Sequence, residues 1–357
     1  MSNTHALITE AARLSMEFAA AGDEIEAARR VPRAYSDMMA KAGFYRMFVP
    51  ESVGGLEVAP ATGCQVFETL AQGEASCAWV SFIGATSGST LALIPDATAR
   101  EVFQTPETMI AGVFAPNGRA EKVPGGFTVN GRWQWGSGTE NADWVLGGSM
   151  LTENGAPMQD AHGAPRAHMM MFKAEEVEFL DTWHVSGLKG TGSTDFQVTD
   201  VFVPEERAVA YLDSRNPERP LYQFPNFTFL ALGIAAVSLG IARSAIDELV
   251  TLAGTKKRVG NSKTMAEKKA WEIHDAQDRW RLVVMNPPGI FGPGVRVHSG
   301  AESFNIMTQL GDGTMASGAP RMGLGIVDVR DVAEAHLRGA FLPDAEGRHV
   351  ISGHDSD

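Results

Sequence analysis

The fold of this chain is decided by a block that opens with Phe127-Thr128-Val129-Asn130-Gly131-Arg132-Trp133-Gln134-Trp135-Gly136-Ser137-Gly138. The block extends to about residue 204, and its short apolar or aromatic runs are separated by Gly, Asn and Asp. This pattern is typical of antiparallel strands. Two of its turns, Gly136-Ser137-Gly138 and Gly190-Thr191-Gly192-Ser193-Thr194, combine bare backbone with hydroxyls. We expect such turns to let a flat or anionic ligand approach main-chain N–H groups.

Helical sequence lies on both sides of this block. Apolar side chains recur at helical spacing over residues 5–30, and further helices are predicted from Pro32 to Gly43 and at about 61–72 and 75–94. The helix at 75–94 is rich in Ala, Ser and Gly, which indicates either tight packing or room for a ligand. A long helix is predicted at about 226–254. We expect its apolar stripe to face the core: Phe229, Leu232, Ala236, Leu239, Ala242, Ile246 and Val250.

Charge and hydropathy exclude several classes of partner. The 357 residues carry a net charge of −13, which argues against nucleic acid and anionic membranes because both attract basic surfaces. No apolar run approaches the roughly 20 residues of a membrane-spanning helix. The most apolar stretch, residues 227–239, is predicted to be a buried helix.

The cysteines and the N-terminus indicate the compartment. Cys64 and Cys77 lie in predicted helices, without metal-ligand spacing. We therefore expect buried free thiols and no bound metal. The N-terminus has no basic segment followed by an apolar core, so no signal peptide is predicted and a cytoplasmic location is expected.

Several segments, in the same order, resemble one family. Asn130-Gly131-Arg132 followed by Trp135 and Ser137, and the earlier stretch from Gly43 through Pro50 to Gly54-Gly55, are similar to the acyl-CoA dehydrogenase superfamily. The resemblance covers about residues 5–255 and is strongest to the flavin-dependent monooxygenases of that superfamily. It implies an α+β fold with an N-terminal helical domain at 1–108, a middle β-barrel at 109–215 and the start of a truncated C-terminal helical bundle at 216–258.

The same resemblance implies a flavin site. In the dehydrogenases an acidic loop stands where this chain has Phe114-Ala115-Pro116-Asn117-Gly118, and this departure favours the monooxygenase branch; a plain surface turn is the alternative for these residues. The resemblance does not separate FMN from FAD and assigns no catalytic residue. The implied flavin contacts are Phe114, Ala115, Trp135, Gly136, Ser137, Gly192 and Ser193, and the implied substrate pocket is lined by Trp79, Phe82 and Thr86.

Simpler interpretations of some of these residues stay open. Trp135 is as readily explained as a strand aromatic in the barrel core. His184, beside Trp183, is suited to acid–base chemistry, but a polar histidine at a strand end is the simpler interpretation.

Residues 260–357 resemble a different family, the extended short-chain dehydrogenase/reductases of the dihydroflavonol-reductase-like group. The segments that carry this resemblance are 261–271, 282–294, 326–336 and 347–351. The nicotinamide-binding Gly-rich turn of that family is absent, and Val259 stands four residues before Lys263 where the catalytic tyrosine is expected. The resemblance implies that residues 259–357 form an α/β fragment of a Rossmann-type reductase, and without these groups we expect no NAD(P)-dependent reductase activity from it. We hypothesise a chimera joined near residues 255–264.

The predicted function is a flavin-dependent oxidoreductase of the monooxygenase kind, acting with oxygen and with reduced flavin from a separate flavin reductase. One alternative is an acyl-CoA dehydrogenase with FAD. Another is a truncated chain without turnover. A small-molecule substrate is expected, and the homo-oligomer typical of the family is expected to be altered because the later bundle helices are missing.

Overall fold

The computed structural model describes residues 3–210, 219–255, 262–277, 281–287, 289–291, 324–351 and 354–356. The chain divides into two compact units, Met1–Thr255 and Lys256–Asp357. Val259, most of the expected junction and the loop after residue 291 lie outside the described residues.

The helices of the first unit form where the sequence has helical periodicity. Leu14 and Phe18, four residues apart, are fully buried, so one face of the first helix packs into the core. Pro60 occupies the first turn of its helix, and the Glu74 carboxylate accepts a hydrogen bond from the Ser76 amide at 2.6 Å to cap the next one. The helices described in this unit are α1 (Asn3–Ala20), α2 (Gly22–Ala28), α3 (Arg33–Lys41), α4 (Pro60–Gly73), α5 (Ala75–Gly88), α6 (Asp96–Val102) and α7 (Asn226–Thr255).

The block quoted at the outset, with one strand before it and one after it, forms one eight-stranded sheet. Its strands are β1 (Ile110–Val123), β2 (Gly126–Gly136), β3 (Trp144–Glu153), β4 (Ala156–Pro157), β5 (Ala167–Lys173), β6 (Glu178–Leu180), β7 (Thr194–Pro204) and β8 (Ala208–Val209). The order is β6-β7-β2-β1-β3-β5-β8, with β4 beside β3. The pairs formed within the predicted block, β2–β7, β6–β7, β3–β5 and β3–β4, are antiparallel, so the prediction is confirmed there. The β1–β3 pair is parallel, and β1 precedes that block. Among the described strands β6 and β8 are edges, and the expected barrel is therefore an open sheet as far as strand pairing shows.

The Trp133 indole fills the centre of this sheet. It is fully buried, stacks on Phe196 with ring centroids 5.1 Å apart, and donates from Nε1 to the Gly148 carbonyl at 2.6 Å. The ring leaves no space for side chains on the neighbouring strands: a Cβ atom would lie within 2.7 Å of it at each of three glycines, Gly118, Gly131 and Gly147. Three strands, β1, β2 and β3, thus each carry a glycine where the ring leaves no space for a side chain.

Helix α7 buries only the first part of the predicted stripe. Phe229, Ala236 and Val237 are buried, but Leu239 is 59% exposed and the more distal Ile246 and Val250 are also exposed. The close approach to the helical domain is made at small residues instead, since a Cβ at position 233 would lie 2.2 Å from the Phe82 ring. Among the described residues, one helical stretch, Phe227–Thr251, is long and apolar enough to cross a membrane, contrary to the expectation that no apolar run has this length. Of its apolar part, 28% is buried in the protein.

The second unit contains short helices and strands. They are α8 (Ser262–Asp275), β9 (Val283–Asn286), β10 (Gly289–Phe291), β11 (Leu324–Asp328), α9 (Val329–Phe341), β12 (Gly347–Val350) and β13 (His354–Ser356). In the part of this unit that is described, the strands divide into a three-stranded sheet, β10-β11-β13, and a separate pair, β12-β9. Two small sheets give no support to the Rossmann-type fragment expected here, because that fold needs one continuous parallel sheet.

Two tryptophans two residues apart should differ sharply in their contribution to stability. Trp133→Ala is expected to lower the free energy of unfolding by about 3–5 kcal/mol, because it removes a fully buried ring and a buried hydrogen bond. Trp135→Ala, the matched control, should change it by no more than about 0.5 kcal/mol, since that ring is exposed. Urea unfolding followed by circular dichroism measures both, and equal losses would contradict this assignment.

Candidate functional site

Three hydroxyls and one indole form a continuous hydrogen-bonded chain where α5, the end of β2 and the turn before β7 meet. Trp79 Nε1 donates to Ser137 Oγ at 3.1 Å. Ser137 Oγ lies 2.6 Å from Ser193 Oγ, which lies 2.7 Å from Thr191 Oγ1. Thr191 Oγ1 in turn donates to the Leu188 carbonyl at 2.9 Å. We call Trp79, Ser137, Ser193 and Thr191 the hydroxyl chain; its three hydroxyl residues are buried.

The two ends of the hydroxyl chain fix its direction. An indole N–H can only donate, and a carbonyl oxygen can only accept. Because the single hydroxyl proton of Thr191 goes to the Leu188 carbonyl, Ser193 must donate to Thr191, and Ser137 must donate to Ser193. Every hydroxyl proton is therefore committed within the chain. The three hydroxyl oxygens can therefore only accept further hydrogen bonds.

Trp135 projects outward beside this chain. Its side chain is 71% exposed, and its backbone has φ +63°, a conformation that is rare for a bulky residue. The pairing of β2 with β7 shifts register between Trp133 and Gly136, so the strand alternation that would place Trp135 beside Trp133 is broken. The alternative interpretation of Trp135 as a core aromatic is thus wrong, and Trp133 holds that place.

The turn that carries Ser193 is held against the helical domain. Arg29 makes a bidentate pair with Asp181, at 2.7 and 3.0 Å, and also donates to the Trp183 carbonyl at 3.0 Å. Hydrogen bonds from Arg29 hold the pKa of Asp181 below its usual value. Gly190 packs so closely on α2 and α5 that a Cβ there would lie 2.3 Å from Ile25. These contacts fix the start and the end of the 181–193 segment.

His184 lies in the exposed part of that segment. Its Nε2 atom is 3.4 Å from Asp181 Oδ1, and its ring also approaches Arg29. The geometry is that of a surface histidine in a polar cluster, which agrees with the simpler interpretation made from the sequence.

Phe114 and Ala115 lie on a separate apolar cavity of about 210 Å³. They belong to a bulge in β1, where the register against β3 shifts between Val113 and Gly118. A bulge within a strand replaces the plain surface turn considered for these residues. The cavity is also lined by six residues that the sequence did not single out as site residues, namely Pro116, Gly148, Ala167, His168, Met169 and Phe227.

The three residues predicted to line a substrate pocket have different environments. Trp79 belongs to the hydroxyl chain. Phe82 is buried between Phe67 and Trp79, and Thr86 is 1% exposed with its hydroxyl donating to the Phe82 carbonyl. Tight packing thus describes this part of α5, and whether a substrate reaches it stays a prediction.

The remaining predicted positions are backbone positions. Gly136 pairs with Thr194 across β2 and β7, and Gly192 adopts a left-handed φ of +53° beside Arg30. Among the described residues no group of three or more metal-binding side chains occurs. Thr191 was missed as a site residue, although a third hydroxyl in the Gly-Thr-Gly-Ser turn was the signal for it.

Known proteins and family models are similar in sequence to much of this chain. The family model of the acyl-CoA dehydrogenase N-terminal domain matches residues 2–100, and that of the acyl-CoA dehydrogenase C-terminal domain matches residues 232–282. Indole-3-acetate monooxygenase of Pseudomonas putida is 33% identical over 255 residues, which cover 71% of this chain and 64% of that protein. The oxygenase subunit HsaA of a flavin-dependent monooxygenase from Mycobacterium tuberculosis is 30% identical over 274 residues, which cover 72% of this chain and 68% of that protein.

The chain belongs to the flavin-dependent monooxygenases with an acyl-CoA dehydrogenase fold. A solved structure of XiaF from Streptomyces sp., in complex with FADH2 and glycerol, matches it with a TM-score of 0.64 and 27% identity, covering 72% of this chain and 66% of XiaF. The resemblance drawn from the 43–55 and 126–138 segments is therefore confirmed.

The extent of these matches bears on two of the predictions. The chain spans 64% of the length of the Pseudomonas putida protein and 60% of that of an Acinetobacter baumannii indole-3-acetate monooxygenase. The acyl-CoA dehydrogenase match at 232–282 also runs into the segment where the reductase resemblance was drawn, and these matches give that resemblance no support.

The close packing of the turn at residues 190–194 against the helical domain can be tested by two glycine-to-alanine substitutions. Gly190→Ala is expected to cost about 1–3 kcal/mol of unfolding free energy, because the added methyl overlaps Ile25 and Ser76. Gly187→Ala, in the same loop, meets no atom within 4 Å and should change stability by less than about 0.5 kcal/mol. Thermal or urea unfolding of both variants decides, and a neutral Gly190→Ala would contradict the packing described.

Proposed function

We propose that this chain is the oxygenase component of a two-component flavin monooxygenase, which uses reduced flavin and dioxygen to hydroxylate a small aromatic molecule. The observation that carries the proposal is the exposed Trp135 ring, held in a strained backbone conformation beside the buried hydroxyl chain. Such strain is usually retained where function requires it. Family membership supports the same function.

The residues present fit a flavin ring. A flat, partly polar ligand would find an exposed indole to stack on and, beside it, oxygens with acceptor lone pairs. When bound, reduced flavin supplies the electrons that activate dioxygen, of which one atom enters the substrate and the other leaves as water. The contribution of this chain is to orient the ring through Trp135, Ser137 and Ser193 and to shield it from water.

The direction of the hydroxyl chain favours the reduced cofactor. Ser137 and Ser193 have no free proton to donate, so toward a ligand they act as acceptors. Acceptors match the additional N–H groups that a flavin ring carries in its reduced form and lacks in its oxidised form. An oxidised flavin would leave those acceptors without donors, which costs binding energy.

The apolar cavity beside Phe114 supports a small aromatic substrate. Its volume of about 210 Å³ and its lining by Phe114, Met169 and Phe227 suit a compact ring, and His168 is the polar side chain there. The curated relatives include an indole-3-acetate monooxygenase and an FADH2-dependent resorcinol hydroxylase. Indole-3-acetate and resorcinol are therefore the first substrates to screen.

A flavin titration tests the proposal directly. FMN and FAD, each oxidised and reduced, should bind saturably, and Trp135→Ala should weaken binding about tenfold, equivalent to about 1.4 kcal/mol, through loss of ring stacking. The matched control is Phe202→Ala, which removes another exposed aromatic from the same sheet and should bind like the unmodified protein. No binding of either flavin in either redox state would refute the proposed function.

The hydrogen-bond direction predicts a redox-dependent effect of Ser137. Ser137→Ala should weaken the binding of reduced flavin about tenfold and that of oxidised flavin much less, since the lost group is an acceptor. Ser186→Ala, an exposed serine in the adjoining loop, serves as control and should change neither affinity. Anaerobic absorbance titrations give both constants, and equal losses in the two redox states would contradict the direction assigned to the chain.

Two alternatives predict different outcomes with substrate. Oxygen-dependent consumption of an aromatic substrate in the presence of a supplied flavin reductase supports the oxygenase. Oxidation of an acyl-CoA with an artificial electron acceptor and FAD would indicate a dehydrogenase instead. Flavin binding without turnover would support the second alternative, a chain that binds cofactor only.

We also infer that the second unit originates from a reductase of the short-chain type, joined near residues 255–264. The proposal rests on the sequence resemblance of residues 260–357 and on the strand β11, which leads directly into α9. Without the Gly-rich turn and the tyrosine, the protein should oxidise no NAD(P)H by itself. Because α8 is followed, in the part of the chain that the structure describes, by the strands β9 and β10 and not by a further bundle helix, we also propose weakened or altered assembly, which a sharp tetramer in light scattering would contradict.

A further inference from the structure

A second cavity, of about 490 Å³, lies on the helical domain. It is formed by α1, α3 and the segment that follows α3, and it shares no residue with the hydroxyl chain or with the cavity beside Phe114. Its apolar wall includes Leu7, Met38 and Leu56. Its charged lining consists of three cations, Arg13, Lys41 and Arg46, and one carboxylate, Glu10, which pairs with Arg13. We call it the basic cavity.

Arg46 is the unusual residue of the basic cavity. Its Nε atom is buried and has no hydrogen-bond partner within the described part of the chain. The guanidinium lies against Gly43, where a Cβ atom would be 3.2 Å from Nε. A buried N–H without an acceptor is costly, and most such groups in proteins are paired with a protein group, a water molecule or an ion. The structure therefore provides a donor that lacks its acceptor.

The charges around Arg46 are not neutralised either. Arg13 is paired with Glu10 and Glu17 on its own helix, at 2.7 and 2.9 Å. Lys41 and Arg46, by contrast, make no ion pair with any described residue. Lys41 stands in the last turn of α3, where the helix dipole attracts a cation. The dipole explains the position of Lys41, but it supplies no acceptor for the buried Arg46 Nε.

We propose that the basic cavity binds a small organic anion, with its carboxylate or phosphate group on Arg46 and Lys41 and its apolar body against Leu7, Met38 and Leu56. Arginine is suited to this role because its planar fork can donate two parallel hydrogen bonds to such a group. In a chain of net charge −13, an acidic ligand is repelled by most of the surface, so a local pair of free cations is also a basis for selectivity.

Isothermal titration calorimetry with three probes tests this site. Phenyl phosphate and benzoate both carry an apolar ring, and the one that binds more tightly identifies the anionic group. Inorganic phosphate lacks the apolar body and should bind more weakly than phenyl phosphate. Absence of saturable binding by phenyl phosphate and benzoate at millimolar concentration would overturn the proposal, as would tighter binding of inorganic phosphate.

Three variants assign any binding to this cavity. Arg46→Gln should weaken binding about tenfold and Lys41→Gln about threefold, because each replaces one positively charged side chain that binds the anionic group. Arg33→Gln removes a cation from the same helix, where Arg33 pairs with Asp37 on the surface, and should leave the affinity unchanged. Lys41 is exposed, so its replacement reports on binding even if Arg46→Gln impairs folding. Binding that survives both the Arg46 and the Lys41 replacement lies elsewhere and would refute this assignment.

Discussion

The Trp133 ring is the constraint on which the β domain depends. A buried indole with its N–H on the Gly148 carbonyl and its face on Phe196 leaves no space for side chains at the neighbouring glycines. The strands can pair only in the register that places those glycines around the ring. That register ends β2 at the turn carrying Ser137 and sets β7 beside it, which brings Ser193 within hydrogen-bond distance of Ser137. The position of the candidate site thus follows from the packing of one side chain.

The helical domain completes the site from the other side. Trp79 on α5 supplies the donor that begins the hydroxyl chain, and Arg29 after α2 fixes Asp181 at the start of the segment that ends at Ser193. Because the indole donates and the Leu188 carbonyl accepts, the whole chain has a single direction. A cofactor that stacks on Trp135 meets acceptors there, which is the physical basis for expecting a preference between redox states.

Two surface features of the first unit lie outside the candidate site: the exposed apolar half of α7 and the basic cavity. The first half of α7 packs through small residues on the helical domain, and its second half carries exposed residues such as Leu239 and Ile246. A contiguous exposed apolar face usually marks a surface that another protein or ligand covers. The basic cavity is a contrasting surface feature, since its free cations are local exceptions in a strongly acidic chain.

The sequence by itself determined the element types, the family and the hydroxyl-bearing turns, because glycine spacing, helical periodicity and the Trp-x-Ser segment are local patterns. Tertiary structure alone decided which of two tryptophans is buried. Strand alternation predicts the same face for Trp133 and Trp135, but the shift of register against β7 and the positive φ of Trp135 turn the second ring outward. It also decided that Ser137 meets Ser193 and that α7 approaches through Gly233, since both depend on contacts between segments more than fifty residues apart in the chain. Contacts of that kind leave no periodic signal in a single sequence.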